Sequence, residues 1–235
     1  MLTTEELLSG VRWLVVKAIA EHGEQNGAEI ARLSGTSLPS VSQAMKLLEA
    51  YGYIIVKKRK KRGPGKPVVA YALKRPVLQC TFAREGYAAK AVLAPDDLQS
   101  ALLSTLFLPP RDQHAVLRAL LDREELFSLC QALSFVSSDE KEVHLLAIST
   151  TLEPLRKQYA NFVVQAGGAT RKIVIWSHSA PEAIDGLRRK ENYFQNLFKR
   201  PIVIFDPEHV LRRILKEGGK EGTIVAPGTE PAKAE

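Results

Sequence analysis

Ser40-Val41-Ser42-Gln43-Ala44-Met45-Lys46-Leu47-Leu48-Glu49-Ala50-Tyr51-Gly52-Tyr53-Ile54 is the stretch on which the fold turns. Val41, Met45 and Leu48 recur at the spacing of one helix face and predict a buried stripe, with Ser40, Ser42, Gln43 and Lys46 on the opposite side. Leu38-Pro39 just ahead suits a helix start, because first-turn N–H groups have no intrahelical partner for proline to remove. After Gly52 the period shortens to two β-rich runs, 53–56 and 67–73, separated by a segment dense in Lys and Arg. This predicts a hairpin with a basic tip.

Upstream, residues 28–33 predict a short helix carrying Ile30, Ala31 and Leu33, closed by Gly35 as a left-handed cap, with Thr36 and Ser37 as the turn. A first helix is expected from Thr3-Thr4-Glu5-Glu6, a capping-box arrangement, to Gly23. Leu7, Val11, Leu14, Val15, Ala18 and Ile19 form its core stripe, and Leu8, Trp13 and Val16 lie off it, as a second face for a dimer partner or for the rest of the chain. Three helices followed by a two-stranded wing is the winged helix-turn-helix order, assigned to residues 1–75.

The quoted segment resembles the recognition helix and exit of MarR-, ArsR- and TrmB-type regulators, which run Ser/Thr-Val-Ser, a basic amphipathic turn, Leu-x-x-Leu-Glu, then a small residue and Gly. Arg62-Gly63-Pro64-Gly65-Lys66-Pro67, continuing to Tyr71-Ala72-Leu73, is similar to the family wing, with Lys66 where Arg is usual. The match covers about a third of the chain. It implies duplex-DNA binding, with the recognition helix in the major groove, where each base pair displays a distinct donor and acceptor pattern. Ser40, Ser42 and Gln43 would face bases or nearby phosphates, and Lys46 a phosphate or a guanine edge. Lys57, Lys58, Arg59, Lys60, Lys61, Arg62 and Lys66 would follow flanking phosphates or enter the minor groove. The 62–67 string also resembles an AT-hook, but its core is altered and it lies between strands.

Charge location agrees. Residues 1–75 hold 13 Lys and Arg against 6 Asp and Glu, leaving 20 of each sign elsewhere, so the whole net charge of +7 belongs to the first third. A polyanion partner is therefore expected for that part alone. Six cations on phosphates would give a log–log salt slope of about −5 per subunit. A Lys/Arg run by itself is more often a solvated surface, and it is the neighbouring recognition helix that changes its meaning.

The remainder is expected to form a helical linker or dimerisation segment over 76–138, then an α/β domain over 139–217 with a mostly parallel sheet, then a flexible tail over 218–235. In the first part Leu98, Leu102, Leu103 and Leu106, then residues from Val116 to Leu133, carry the helical period. Such helices either pair subunits or pack on the domain's own sheet. Strands are expected at 143–148, 172–176 and 202–205, with helices near 151–166, 180–199 and 208–216 and a short strand at 223–225. The order and pattern after Gly167-Gly168 resemble the phospholipase-D-like effector half of TrmB-type regulators. That resemblance implies a small-molecule sensor without catalysis, and none of the five histidines begins a His-x-Lys pair.

Ligands of open α/β sheets bind beyond the carboxyl ends of strands. The candidates there are Thr150, Thr151, Ser177, His178 and Asp206, although Ser, Thr and Asp before a helix are equally ordinary caps. His144, inside an apolar strand, suits a satisfied core residue better than a base. No Walker A loop, GxGxxG, GxSxG or metal-spaced histidine pair occurs, so no enzyme activity, metal or cofactor is expected. Cys80 and Cys130 sit among apolar residues and predict buried thiols in a reducing compartment. With no basic leader and no apolar run of ~20 residues, neither secretion nor membrane insertion is expected. The leading expectation is a cytoplasmic, nucleoid-associated, dimeric transcription regulator. The alternatives are a nucleoid or plasmid-maintenance protein using the same module and a DNA-processing enzyme.

Overall fold

The computed structural model describes residues 8–59 and 68–219, which form an α+β protein dividing into two compact units, Met1–Asp96 and Asp97–Glu235. Among the described residues no helix is long and apolar enough to cross a membrane.

The first unit opens with α1 (Gly10–His22), whose buried residues are Val15, Val16, Ala18 and Ile19. Leu8 is also buried, whereas Leu14 and Trp13 are exposed, so the buried stripe is rotated from the expected one toward Val16. The expected cap at Thr3-Thr4-Glu5-Glu6 and the stripe's Leu7 lie outside the described residues. Gly23 ends the helix as expected, its N–H donating to the Ile19 carbonyl. A two-residue strand, β1 (Gln25–Asn26), leads into α2 (Gly27–Ser34), where the Asn26 side chain and Glu29 form a reciprocal capping box. Gly35, at φ 63°, closes α2 in the left-handed conformation that glycine adopts without strain.

Helix α3 (Leu38–Ala50) has Pro39 in its first turn and buries Val41, Ala44, Met45 and Leu48. Then come β2 (Ile54–Arg59) and β3 (Val68–Leu73), antiparallel and pairing Arg59 with Val68, so residues 60–67 join the two strands. β1 adds to β3 to give the order β1-β3-β2. Tyr53, Ile54 and the buried faces of all three helices share one core.

The expectation of helix from residue 76 fails first at β4 (Leu78–Arg84) and β5 (Tyr87–Leu93), which pair as a separate two-stranded hairpin around Gly86. Val77 and Val92 at its base pack on the first core, and residues 80–90 are exposed throughout. A two-stranded ribbon has little apolar burial to reveal it in sequence. Cys80 on β4 is consequently exposed, not buried as expected, while Cys130 is buried and its thiol pushed up to about 12 by that burial. An Ellman titration should therefore find one reactive thiol in the native chain and two in denaturant. Two native thiols would contradict the burial of Cys130.

The second unit holds α4 (Asp97–Ser104), a 3₁₀ turn (Thr105–Phe107), α5 (Pro110–Leu121), α6 (Glu125–Leu129), β6 (Ala132–Ser138), β7 (Glu142–Ile148), α7 (Leu152–Tyr159), β8 (Asn161–Ala166), β9 (Ala169–His178), α8 (Ala180–Arg188), α9 (Asn192–Leu197), β10 (Ile202–Phe205) and α10 (Val210–Glu217). Its sheet runs β10-β6-β7-β9-β8, and only β7 and β9 pair in parallel. This corrects the mostly parallel sheet. β7, β9 and β10, the three strands expected, do share one direction, but β6 and β8, which had been read as helix, insert or append antiparallel. Leu133 on β6 continues the helical spacing of Leu126 and Leu129 and so was assigned to helix, a standing ambiguity for short apolar runs.

Strand alternation gives the sheet two buried faces. Leu133, Phe135, Val143, Leu145, Ile173 and Ile175 face α4–α7, while Ala132, Leu146 and Ile148 face α8–α10. Val116, Leu120 and Leu126 thus pack within their own domain, which is the second of the two readings of those helices. Gly186 on α8 is required by close packing, since a Cβ there would lie 2.0 Å from the Phe194 ring of α9. Gly218, expected to begin a loose tail, is buried against Leu187. Residues 220–235 of that tail, with the strand expected at 223–225, lie outside the described residues.

A buried ion pair ties the second unit together. Arg171 of β9 donates to Asp112 of α5 at 2.9 Å, and also to the main-chain oxygens of Asp139 (2.7 Å) and Glu142 (3.4 Å). The Ser138 hydroxyl donates to the other Asp112 oxygen at 2.7 Å. One helix, the β6–β7 turn and β9 meet at this group. Backbone N–H groups of Glu142 and Lys141 on the Asp139 carboxylate shape the same turn and hold its pKa below the usual value.

Candidate functional site

Two regions bear on function, one in each unit. In the first unit, α3 is fixed by its buried side, which leaves Gln43 and Lys46 exposed and Ser40 and Ser42 half-buried. Ser40 has a local role: its hydroxyl lies 2.9 Å from that of Ser37, whose oxygen accepts the Ser40 N–H at the helix N-cap. Its hydroxyl is shared between the cap and any outside partner. Leu38, at the first position of α3, is 51% exposed and was not among the sequence candidates. Its signal was the Leu-Pro start, which reads as a helix boundary and says nothing about exposure. An exposed apolar group at that end of a helix is suited to contact a thymine methyl.

Lys57 is half-exposed on β2 and pairs with Glu24 at 3.3 Å, so it meets an outside anion by exchanging a partner. Glu24 is the more buried partner, its side chain 16% exposed against 50% for Lys57. Lys58 and Arg59 occupy the last two backbone positions of β2, opposite Val69 and Val68. Lys60, Lys61, Arg62 and Lys66 lie outside the described residues, within the segment that joins β2 to β3.

In the second unit the five strand-end candidates serve mainly the fold. Asp206 accepts the N–H groups of Val210 (2.6 Å) and Leu211 (3.2 Å), capping α10; burial raises its pKa and those two bonds oppose the rise. Thr150 and Thr151 are exposed, and the turn they occupy is organised by Ser149, whose hydroxyl donates to the Leu129 carbonyl and accepts the Thr151 N–H. Ser177 is buried, and Arg156 binds its carbonyl at 2.8 Å. His178 is buried, with Nε2 2.7 Å from the Tyr193 hydroxyl and Nδ1 3.0 Å from the Glu182 carboxylate. Ser179 and Glu182 form a capping box on α8.

The structure places a cavity of about 480 Å³ elsewhere, against the sheet face that carries His144 and Trp176. It touches none of the five candidates. His178 stands behind it through Tyr193, which lines it together with Asn196, Lys199 and Arg200. Burial, then the nearby Glu182 carboxylate, raise the Tyr193 pKa and keep the phenol protonated. His144, expected as a satisfied core residue, lies at this cavity with Nε2 3.7 Å from Glu142. Sequence order could not bring these residues together, since they come from two parallel strands and a helix some 50 positions apart at the extremes. No family model matches the chain, and no curated protein matches it.

Proposed function

We propose that the chain is a duplex-DNA-binding transcription regulator whose N-terminal unit is a winged helix-turn-helix. The observation that carries the reading is α3, braced by its buried side and offering Gln43 and Lys46 to solvent beside a strand pair whose connection bears a run of cations. In this reading α3 enters the major groove and the first-turn side chains meet base edges. The wing from Lys57 to Arg62, with Lys66, neutralises flanking phosphates. Replacing Gln43 or Lys46 with Ala is expected to redistribute preference among bound genomic fragments, by about 1–3 kcal/mol at the affected base pair, and to change the salt slope by about 1 at most. Selection of bound fragments followed by sequencing measures it, and an unaltered preference in both variants would remove α3 from the groove.

Homodimerisation, a cytoplasmic nucleoid-associated location and control by a small-molecule effector belong to the same proposal. For the dimer, support has moved from the helices after residue 97 to the β4–β5 hairpin. No third strand joins it among the described residues, and Phe82 and Tyr87 on it are 54% and 53% exposed, their rings 6.0 Å apart. Two strands alone are marginal in water, and a second copy of the same hairpin supplies the missing strands and the missing apolar cover. The double variant F82S/Y87S should shift the chain from dimer to monomer in sedimentation equilibrium. An unchanged mass would place the contact elsewhere.

A further inference from the structure

The cavity in the second unit combines features that a folding role leaves unexplained. At about 480 Å³ it falls within the roughly 300–1,000 Å³ in which proteins enclose small molecules. Trp176, on a sheet face that elsewhere buries its apolar side chains under α8–α10, remains 39% exposed, and Tyr193 of α9 remains 41% exposed.

The rings are arranged as a corner. Trp176 of β9 and His144 of the neighbouring β7 have ring planes only 18° apart, with centroids separated by 6.3 Å. Tyr193 of α9 stands at 79° to Trp176, 6.0 Å away. Two near-parallel rings and one upright ring meet a flat aromatic body on its face and its edge, the two contacts such rings favour. The corner is preorganised, because His178 holds the Tyr193 hydroxyl at 2.7 Å and is itself placed by Glu182 and by the Phe194 ring. A wall fixed before binding spares the ligand the cost of ordering it.

Charge completes the description. Lys199 and Arg200, both exposed, follow directly after α9 and line the cavity, and Asn196 and Ser137 add neutral donors and acceptors. No acidic side chain is among the lining residues. Aromatic surfaces without cations would suit a neutral apolar molecule, and cations without aromatic surfaces would suit a bare anion. The combination selects a molecule that is both.

We propose that this cavity binds a small planar aromatic anion, its ring on Trp176 and His144 against Tyr193 and its phosphate or carboxylate on Lys199 and Arg200. This gives a chemical class and a location to the small-molecule effector in the functional reading above, but the binding itself does not depend on DNA recognition. The site lies away from the strand-end residues where a ligand was expected; of those, Asp206 is engaged in a cap and His178 in the support of Tyr193.

The chain has two tryptophans, so the full-length W13F variant reports on Trp176 alone. It is titrated with AMP, CMP, GMP, UMP, adenosine, benzoate and inorganic phosphate, with Trp176 emission as the readout. Saturable quenching by at least one nucleotide or by benzoate is expected, with adenosine and phosphate each at least tenfold weaker than the best ligand. Quenching by benzoate without the nucleotides assigns a carboxylate, and the reverse assigns a phosphate; both support the site. Adding K199S/R200S should weaken binding at least tenfold without moving the thermal transition. The proposal is overturned by the absence of saturable quenching by any of these aromatic anions, or by binding indifferent to K199S/R200S. DNA affinity is measured separately on the same protein, so loss of either activity is distinguishable from loss of the other.

Discussion

Asp112→Asn is expected to destabilise the second unit by about 3–5 kcal/mol, because it leaves a guanidinium buried without its counter-charge. Asp112 is fully buried and Arg171 nearly so, and the pair is closed by the Ser138 hydroxyl and two main-chain oxygens. Asparagine keeps the shape and most of the hydrogen bonding, so the loss isolates charge. In thermal unfolding the transition should fall by roughly 6–20 °C, given the usual 2–4 °C per kcal/mol for chains of this size. Ser138→Ala removes only one hydrogen bond to the same carboxylate and is expected to cost about 1 kcal/mol. The double variant D112N/R171M, which removes both charges, should recover much of the loss. Denaturant titration of W13F, followed at Trp176 in β9, reads all three. A loss from Asp112→Asn no larger than that from Ser138→Ala would mean the pair contributes no more than an ordinary hydrogen bond.

The second large effect concerns DNA. Replacing the six cations from Lys57 to Arg62 with Ser is expected to lower duplex affinity by roughly a hundredfold or more near physiological salt, and to flatten the log–log salt slope by about 5 per subunit. The loss should be nearly the same for every sequence tested, since phosphate contacts position a protein without reading bases. Lys57 contributes least of the six, because it first gives up Glu24. Fluorescence anisotropy over a series of salt concentrations, with a specific and a scrambled duplex, measures slope and affinity together. Full affinity in the substituted chain would sink the wing assignment and with it the main argument for DNA binding.

The first unit was legible where local chemistry acts alone. The left-handed Gly35, the first-turn Pro39 and the stripe Val41-Met45-Leu48 are consequences of neighbours within four positions, and their positions in the chain suffice to predict them, whereas the equally local Asn26 and Glu29 capping box, which starts α2 at Gly27, was not among the expectations. The second unit was legible only in part. Residues 143–148, 172–176 and 202–205 are short, predominantly apolar runs containing Val or Ile, broken only by His144 and Lys172, which marks them as strands on their own. Leu133, Phe135 and the 161–166 run become strands because β7, β9 and β10 offer them hydrogen-bonding edges, and that offer exists only in the assembled sheet.

The residues proposed for function divide in the same way. Gln43, Lys46 and the 57–62 cations could be named from helix period and charge run, because one short element carries them. The pairing of Asp112 with Arg171, 59 positions apart, and the corner built by His144, Trp176 and Tyr193 required the sheet to be folded first. The sequence by itself determined the charge asymmetry, the helix ends at Gly23 and Gly35 and the order α1, α2, α3, β2, β3, since these depend on adjacent residues. Strand pairing, the buried ion pair and the place of the cavity were decided only by tertiary structure, since each depends on which distant segments share a face.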